Sequence, residues 1–246
     1  MPLDRGAARA ELNVMISGGF SLAYREVLPE FQRTTGIAVA TTSAASQGTG
    51  PNTMKAQLER GARADVVILS REGLSELIAM GRIVGRTDVN LARVPIGAAV
   101  RLGRPKPEID TVDAFKRALL DARSIAVPGS TSGIFLMNEV FPRLGIADKV
   151  SVKVGPRGAD ATAMVAAGEA DIVLAPVSEL VNVTGIAFAG AIPAEVQLIQ
   201  VFAAAVVAGS DRLEEAKRLI EFLASGEASA AVERSGMEPL GNRRTP

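Results

Sequence analysis

Leu12-Asn13-Val14-Met15-Ile16-Ser17-Gly18-Gly19-Phe20-Ser21-Leu22-Ala23-Tyr24-Arg25-Glu26-Val27-Leu28 sets a pattern that the rest of the chain repeats. Leu12 to Ile16 reads as a buried strand, Ser17-Gly18-Gly19 as a tight turn, and Phe20 onward as a helix running to about Arg33. A strand that breaks at a small polar residue and two glycines brings unpaired backbone N–H groups to one spot, where the helix dipole adds partial positive charge. Such a spot suits an anion. Ser17 as a plain N-cap, with glycines that merely let the chain turn, fits these residues equally well, so the remainder must decide.

At 246 residues the chain can form one large domain or two joined lobes. Hydrophobic residues make up 48% and charged residues 22%, as in ordinary globular proteins, so disorder is not expected for most of it. Lys plus Arg and Asp plus Glu are both 27, and one Tyr, eight Phe and no Trp offer no stacking platform for bases. Neither nucleic acid nor an anionic membrane is indicated as a partner. The absence of Cys and His removes thiol chemistry, disulfides, Cys/His zinc sites and every Ser-His or Cys-His catalytic arrangement. No metal and no cofactor is assigned.

No apolar run approaches membrane-spanning length, and residues 1–11 hold no apolar core of a secretory signal. Ala8-Arg9-Ala10 has the small-x-small form of a cleavage site, so a periplasmic location is expected if the chain is a mature form. A cytoplasmic protein with a short polar leader fits the same residues. Segments 1–11 and 241–246 are expected to be flexible.

After the first helix, Thr34-Thr35-Gly36 marks a stop and Ile37 to Thr41 a second strand. A loop of small and hydroxyl residues from Ser43 to Pro51 precedes a helix from Asn52 to Arg60. Val66-Val67-Ile68-Leu69 is a continuous apolar run of the kind found in central parallel strands, and it ends at Ser70-Arg71 before a helix from Gly73 to Met80. Ligands of open α/β sheets lie beyond the carboxyl ends of such strands, where Arg71 could present its planar fork to a carboxylate. A solvated arginine at a helix start is the plainer account.

Val94 to Val100 is a further strand and a first passage between lobes; Thr111 caps a helix that runs through Ala122. The opening scheme then returns. Ser124 to Val127 is a strand, Pro128-Gly129-Ser130-Thr131-Ser132-Gly133 a polar loop, and Ile134 to Leu144 a helix. Three hydroxyls between two glycines suit a ring of donors around an oxyanion, although an ordinary capped helix start would also use them. Lys149 to Val154 alternates as a strand, Gly155-Pro156-Arg157-Gly158 turns into a helix from Ala159 to Ala167, and Ile172 to Ala175 is another apolar strand that ends near Ser178 and Glu179. Gly190 to Glu195 reads as a loop. Gln197 to Val207 is a long strand and the second crossing, followed by helices at Leu213 to Leu223 and Ala228 to Arg234.

With these elements in place, the chain from Leu12 to Pro239 resembles type 2 periplasmic substrate-binding proteins, most closely their molybdate-binding branch. The resemblance rests on the Ser17 turn, Leu28-Pro29-Glu30-Phe31 through Gly36-Ile37, the hydroxyl loop Ser43 to Gly48, Gly61-Ala62-Arg63-Ala64-Asp65-Val66, and Leu213 to Ser225 followed by Gly236-Met237. It implies an α/β fold of two lobes, each a mostly parallel sheet flanked by helices, with the ligand in a hinge-closing cleft between them. Residues 12–95 plus 202–240 would form a discontinuous first lobe and 96–201 the second. From the residues and the resemblance together, the candidate ligand-binding residues are Ser17, Gly18, Gly19 and Phe20; Ser43, Ser46, Gln47 and Gly48; Ser70 and Arg71; Gly129, Ser130, Thr131, Ser132 and Gly133; and Arg157 and Ser178, with the resemblance mapping the second-loop hydroxyl to Ser43 or Ser46. An ABC permease partner and a monomeric state are implied too.

Molybdate binders of this family commonly carry a tyrosine on a late loop of the second lobe, where this chain has Ala175-Pro176-Val177-Ser178. Ile16 to Phe20, Ser124-Ile125-Ala126 and Phe141 to Asp148 are similar instead to a divergent group that includes bacterial aconitate isomerases, which implies a small di- or tricarboxylate as ligand. Arg71 and Arg157 would then clamp carboxylates while Ser17, Ser46, Ser130 and Ser132 donate hydrogen bonds. Solute binding is the favoured expectation. An isomerase is the alternative, and its acid and base would have to be Glu179 and Tyr24, with Lys55 a third candidate, none of them in a motif.

Overall fold

The computed structural model describes residues 11–241. The termini expected to be flexible fall mostly on 1–10 and 242–246, which lie outside the described residues.

Strand β1 (Leu12–Ile16) pairs in parallel with β2 (Val39–Ser43) on one side and β3 (Val66–Ser70) on the other. Helix α1 (Gly18–Thr35) follows β1 directly, with Ser17 as its N-cap. Gly18 and Gly19 are therefore the first residues of the helix, not a turn before it. Gly19 admits no side chain, because a Cβ there would lie 2.0 Å from Cζ of Phe202. Gly36 ends α1 at φ 68°, a left-handed position that glycine takes without strain. Helices α2 (Met54–Glu59) and α3 (Arg71–Ala79) are capped by Thr53 and Ser70, whose hydroxyls accept from Ala56 N and Gly73 N.

β4 (Val89–Arg101) joins the two halves of the molecule. It pairs with β9 (Ile199–Val206) from Val89 to Pro95, and with β7 (Ile172–Pro176) and β8 (Ile186–Ala191) from Ile96 onward. β5 (Ile125–Pro128) then pairs in parallel with β7 and with β6 (Val152–Gly155), so the sheet runs β2-β1-β3-β9-β4-β7-β5-β6. The helices of the second half are α4 (Val112–Asp121), α5 (Thr131–Phe135), α6 (Phe141–Arg143) and α7 (Gly158–Ala166). A π-helical turn at Leu136–Val140 links α5 to α6, ahead of Pro142, which has no N–H to donate. Helices α8 (Leu213–Leu223) and α9 (Gly226–Arg234) and the short β10 (Glu238–Pro239) complete the first half.

Two expectations change here. β8 was not anticipated, since Ile186-Ala187-Phe188-Ala189-Gly190-Ala191 is short and carries Gly190 at φ 141°. The return from the second half is made by Ile192 to Leu198, and β9 begins only at Ile199. Gln197 fastens that return to β4: its Oε1 accepts from Ile96 N at 2.6 Å, and its Nε2 donates to Ile96 O at 2.9 Å.

Burial follows the same division for the most part, with Val177 of the second half joining the core of the first. One core gathers Leu12, Val14, Phe20, Phe31, Leu219 and Val232 between the sheet and α1, α8 and α9; another gathers Ile96, Phe115, Val127, Leu136, Phe141 and Leu174.

Candidate functional site

A small cavity lies between the two halves. Ser17, Gly18, Gly19 and Ser46 line it from one side and Ser130, Thr131, Ser132, Arg157, Gly158 and Glu179 from the other, with Gln200 and Phe202 of β9 on the floor. Ser17 follows β1, Ser130 follows β5, Arg157 follows β6 and Glu179 follows β7, so these groups arrive at the carboxyl ends of parallel strands. α1 and α7 both point their N-termini at the cavity, bringing unpaired N–H groups and partial positive charge.

Ser17 Oγ is buried and, among the described residues, has no hydrogen-bond partner. Gln200 Oε1, also in the cavity wall, is likewise unpartnered. Leaving such an atom unmet costs about 1–3 kcal/mol, which a ligand or a water would relieve.

Other hydroxyls of the two loops fasten the halves together. Thr131 Oγ1 donates to Gln47 Oε1 at 2.8 Å, which leaves Ser70 Oγ as donor in its 2.8 Å contact with Thr131 Oγ1. Gln47 N–H donates to Ser130 Oγ at 3.3 Å, while within the first half Ser46 Oγ accepts from Ser70 N at 3.0 Å. Backbone contact reinforces this fastening: a Cβ on Gly48, whose φ is 115°, would lie 2.5 Å from Gly129 O.

Glu179 is half-buried, and its carboxyl sits between the first residues of α1 and α7. Desolvation pushes its pKa up to about 7; the Arg157 guanidinium opposes the rise and the Asp160 carboxylate adds to it. With the folded value above the ordinary 4.5, the group withdraws stability from the fold as pH rises from about 4.5 to about 7. Arg157 caps α7 and pairs with Asp160, Nε donating to Oδ2 at 3.2 Å. Its side chain is still 42% exposed, so it can meet a ligand without breaking that pair.

Several expected residues are elsewhere. Arg71 does not line the cavity: it donates to Asp88 Oδ2 at 2.7 Å and to Asn90 Oδ1. Arg71→Ala should therefore leave the thermal shift given by a cavity ligand unchanged, and loss of that shift in a melting assay would return Arg71 to the site. Ser43 is exposed at the end of β2, because that strand runs two residues further along the chain than expected. The Phe20 ring is fully buried in the core. Ser70, Gln47, Gly48 and Gly129 serve the contact between halves instead of the cavity wall. Gly133 packs against Pro128 O, and Ser178 lies beside a groove between α1 and α7, its Oγ buried and, among the described residues, without a hydrogen-bond partner.

Tyr24 lies in the core, its hydroxyl 2.9 Å from Thr41 Oγ1, and burial raises its pKa to about 12. It is thereby removed from proton transfer in the cavity. Lys55 is exposed on α2 and does not line the cavity either. Gln200, Phe202 and Gly158 were missed. For Gln200 there was a signal, since a lone amide inside the apolar run Ile199 to Val207 has to find a polar niche.

Residues 12–238 match the family of bacterial extracellular solute-binding proteins. The chain belongs to that family. An aconitate isomerase from Pseudomonas sp is 36% identical over 240 residues, covering 97% of this chain and 92% of that protein. Among solved structures, the sulfate-binding protein of Mycobacterium tuberculosis is 19% identical with a TM-score of 0.74, over 94% of this chain and 86% of its own. The periplasmic molybdate-binding protein of Azotobacter vinelandii is 18% identical with a TM-score of 0.71, over 92% and 98%. Likeness at that level of identity speaks for the fold, and the fold is the two-lobed type 2 periplasmic-binding-protein architecture that the sequence led us to expect. For a solute-binding chain, the space between the lobes is where a ligand is to be sought.

Proposed function

We propose that this solute-binding protein captures a small organic polycarboxylate between its lobes. The donor set carries the reading: an unpartnered Ser17 hydroxyl, the Ser130 and Ser132 loop, and Arg157 surround one cavity at two helix N-termini. Ala44, Ala45, Pro128, Pro176 and Phe202 supply apolar wall between these donors, which suits a carbon skeleton bearing carboxylates better than a compact inorganic oxyanion. Lobe limits of 12–95 with 202–240 and 96–201 are supported by the two cores and by the change of partners at Pro95. Export and delivery of the ligand to an ABC permease, with the chain acting as a monomer, complete the reading.

A second reading is favoured by one residue. Glu179, held near neutral pKa in the cavity wall, has the poise of a general acid–base group. Together with the relative named aconitate isomerase, it supports a cofactor-free shift of a proton on an unsaturated tricarboxylate. In trans-aconitate, Glu179 would take a proton from the methylene carbon, the double bond would move, and the same proton would return to the former alkene carbon.

Citrate, tricarballylate or trans-aconitate at about a hundredfold excess over Kd should raise the melting temperature by roughly 5–10 °C. Molybdate and sulfate should give little. A shift with molybdate alone would overturn the polycarboxylate reading. Proton NMR of trans-aconitate incubated with the protein separates the two readings, since appearance of the cis isomer requires the second.

A further inference from the structure

Glu179 occupies the place that the polycarboxylate reading reserves for a ligand carboxylate. Its Oε1 lies 2.0 Å from where a Cβ on Gly18 would be, and its Oε2 2.2 Å from the same point on Gly158. These are the first residues of an 18-residue helix from one lobe and a 9-residue helix from the other. Both must be glycine for a carboxyl to sit there at all. The unpartnered, buried Ser17 hydroxyl lines the same cavity, so a donor stands ready that Glu179 itself does not use.

Glu179 also borders a second space. On the other side of it, a groove between α1 and α7 is lined by Ser21, Arg25, Ala163 and Ser178. Arg25 is exposed there; its Nε donates to Ser21 O at 3.3 Å, and among the described residues no carboxylate pairs with it.

We propose that the Glu179 carboxyl is a built-in stand-in for the ligand, seated between the N-termini of α1 and α7 in the empty protein, and that an arriving polycarboxylate displaces it into the groove, where it pairs with Arg25. Two carboxylates cannot share the seat without strong repulsion. Seated, Glu179 is held above the ordinary carboxylate range by desolvation, so moving to the wetter groove relieves it. The exchange makes Arg25, which touches no part of the cavity, a determinant of affinity. It also gives the protein a reason to keep an acidic side chain in an anion site.

The inference rests on the polycarboxylate reading, and isothermal titration of citrate and trans-aconitate into four proteins tests both. Glu179→Ala should bind about tenfold or more tighter than the wild type, because the seat no longer has to be vacated. Arg25→Ala should bind roughly two- to fivefold more weakly, and Arg25→Ala in the Glu179→Ala background should match Glu179→Ala alone. Weaker binding by Glu179→Ala, or an Arg25→Ala effect of equal size in both backgrounds, overturns the displacement. Four proteins that bind with one affinity overturn it too, while leaving the ligand class standing. Absence of binding in all four overturns the ligand class and this inference with it. Arg25 lies on the surface, so its arm of the cycle is read on an intact fold.

Discussion

Phe202→Ala is expected to lower the unfolding free energy by about 3–5 kcal/mol, read by urea denaturation. Phe202 is only 2% exposed on β9, and its ring lies over Gly19, so closely that a Cβ there would meet Cζ at 2.0 Å. Removing the ring leaves a void that neither the helix start nor the sheet can close, since β9 is paired with β3 on one side and β4 on the other. Because Phe202 also lines the interlobe cavity, the void opens into it. A cavity ligand should then give a smaller thermal shift even where the variant is still folded. A loss under about 1 kcal/mol would mean that the ring is not a structural part of the cavity floor.

Gly133→Ala should cost about 3 kcal/mol or more, at the upper end of what overpacking does. The new Cβ would lie 1.7 Å from Pro128 O and 2.8 Å from Pro128 C, atoms of the backbone that cannot rotate away. Relief requires moving the loop between β5 and α5, which carries Ser130, Thr131 and Ser132. Thus the same substitution should abolish the ligand-induced melting shift and loosen the Ser70–Thr131–Gln47 fastening. An alanine variant with wild-type stability and ligand response would show that this loop tolerates displacement.

The repeated strand, polar loop and helix were legible because apolar runs such as Val66–Leu69 and Ile172–Ala175 can hardly be anything but central strands, and because the hydroxyl loops follow them. Ser17 and Ser130 could be assigned to a cleft on that basis, whereas Arg157 entered only through the family resemblance. Arg71 could not be told from Arg157 by the same means. Both open a helix or cap one after a strand, but Asp88, 17 residues on, claims the Arg71 guanidinium, whereas Arg157 pairs within its own first turn. Glu179 was legible only as an acidic residue after a strand; its seat between two glycines from different lobes is a tertiary fact. β8 escaped because six residues with a glycine at positive φ give too little alternation to outweigh the turn signal.

Most two-lobed proteins are pictured as separate bodies on flexible tethers, but β4 is one uninterrupted strand of 13 residues that carries ladder bonds in both halves. Melting either half strips half the pairing from the same strand. The lobes are therefore expected to melt as one cooperative unit, with a single urea transition whose midpoint is the same by far-UV circular dichroism and by tyrosine fluorescence.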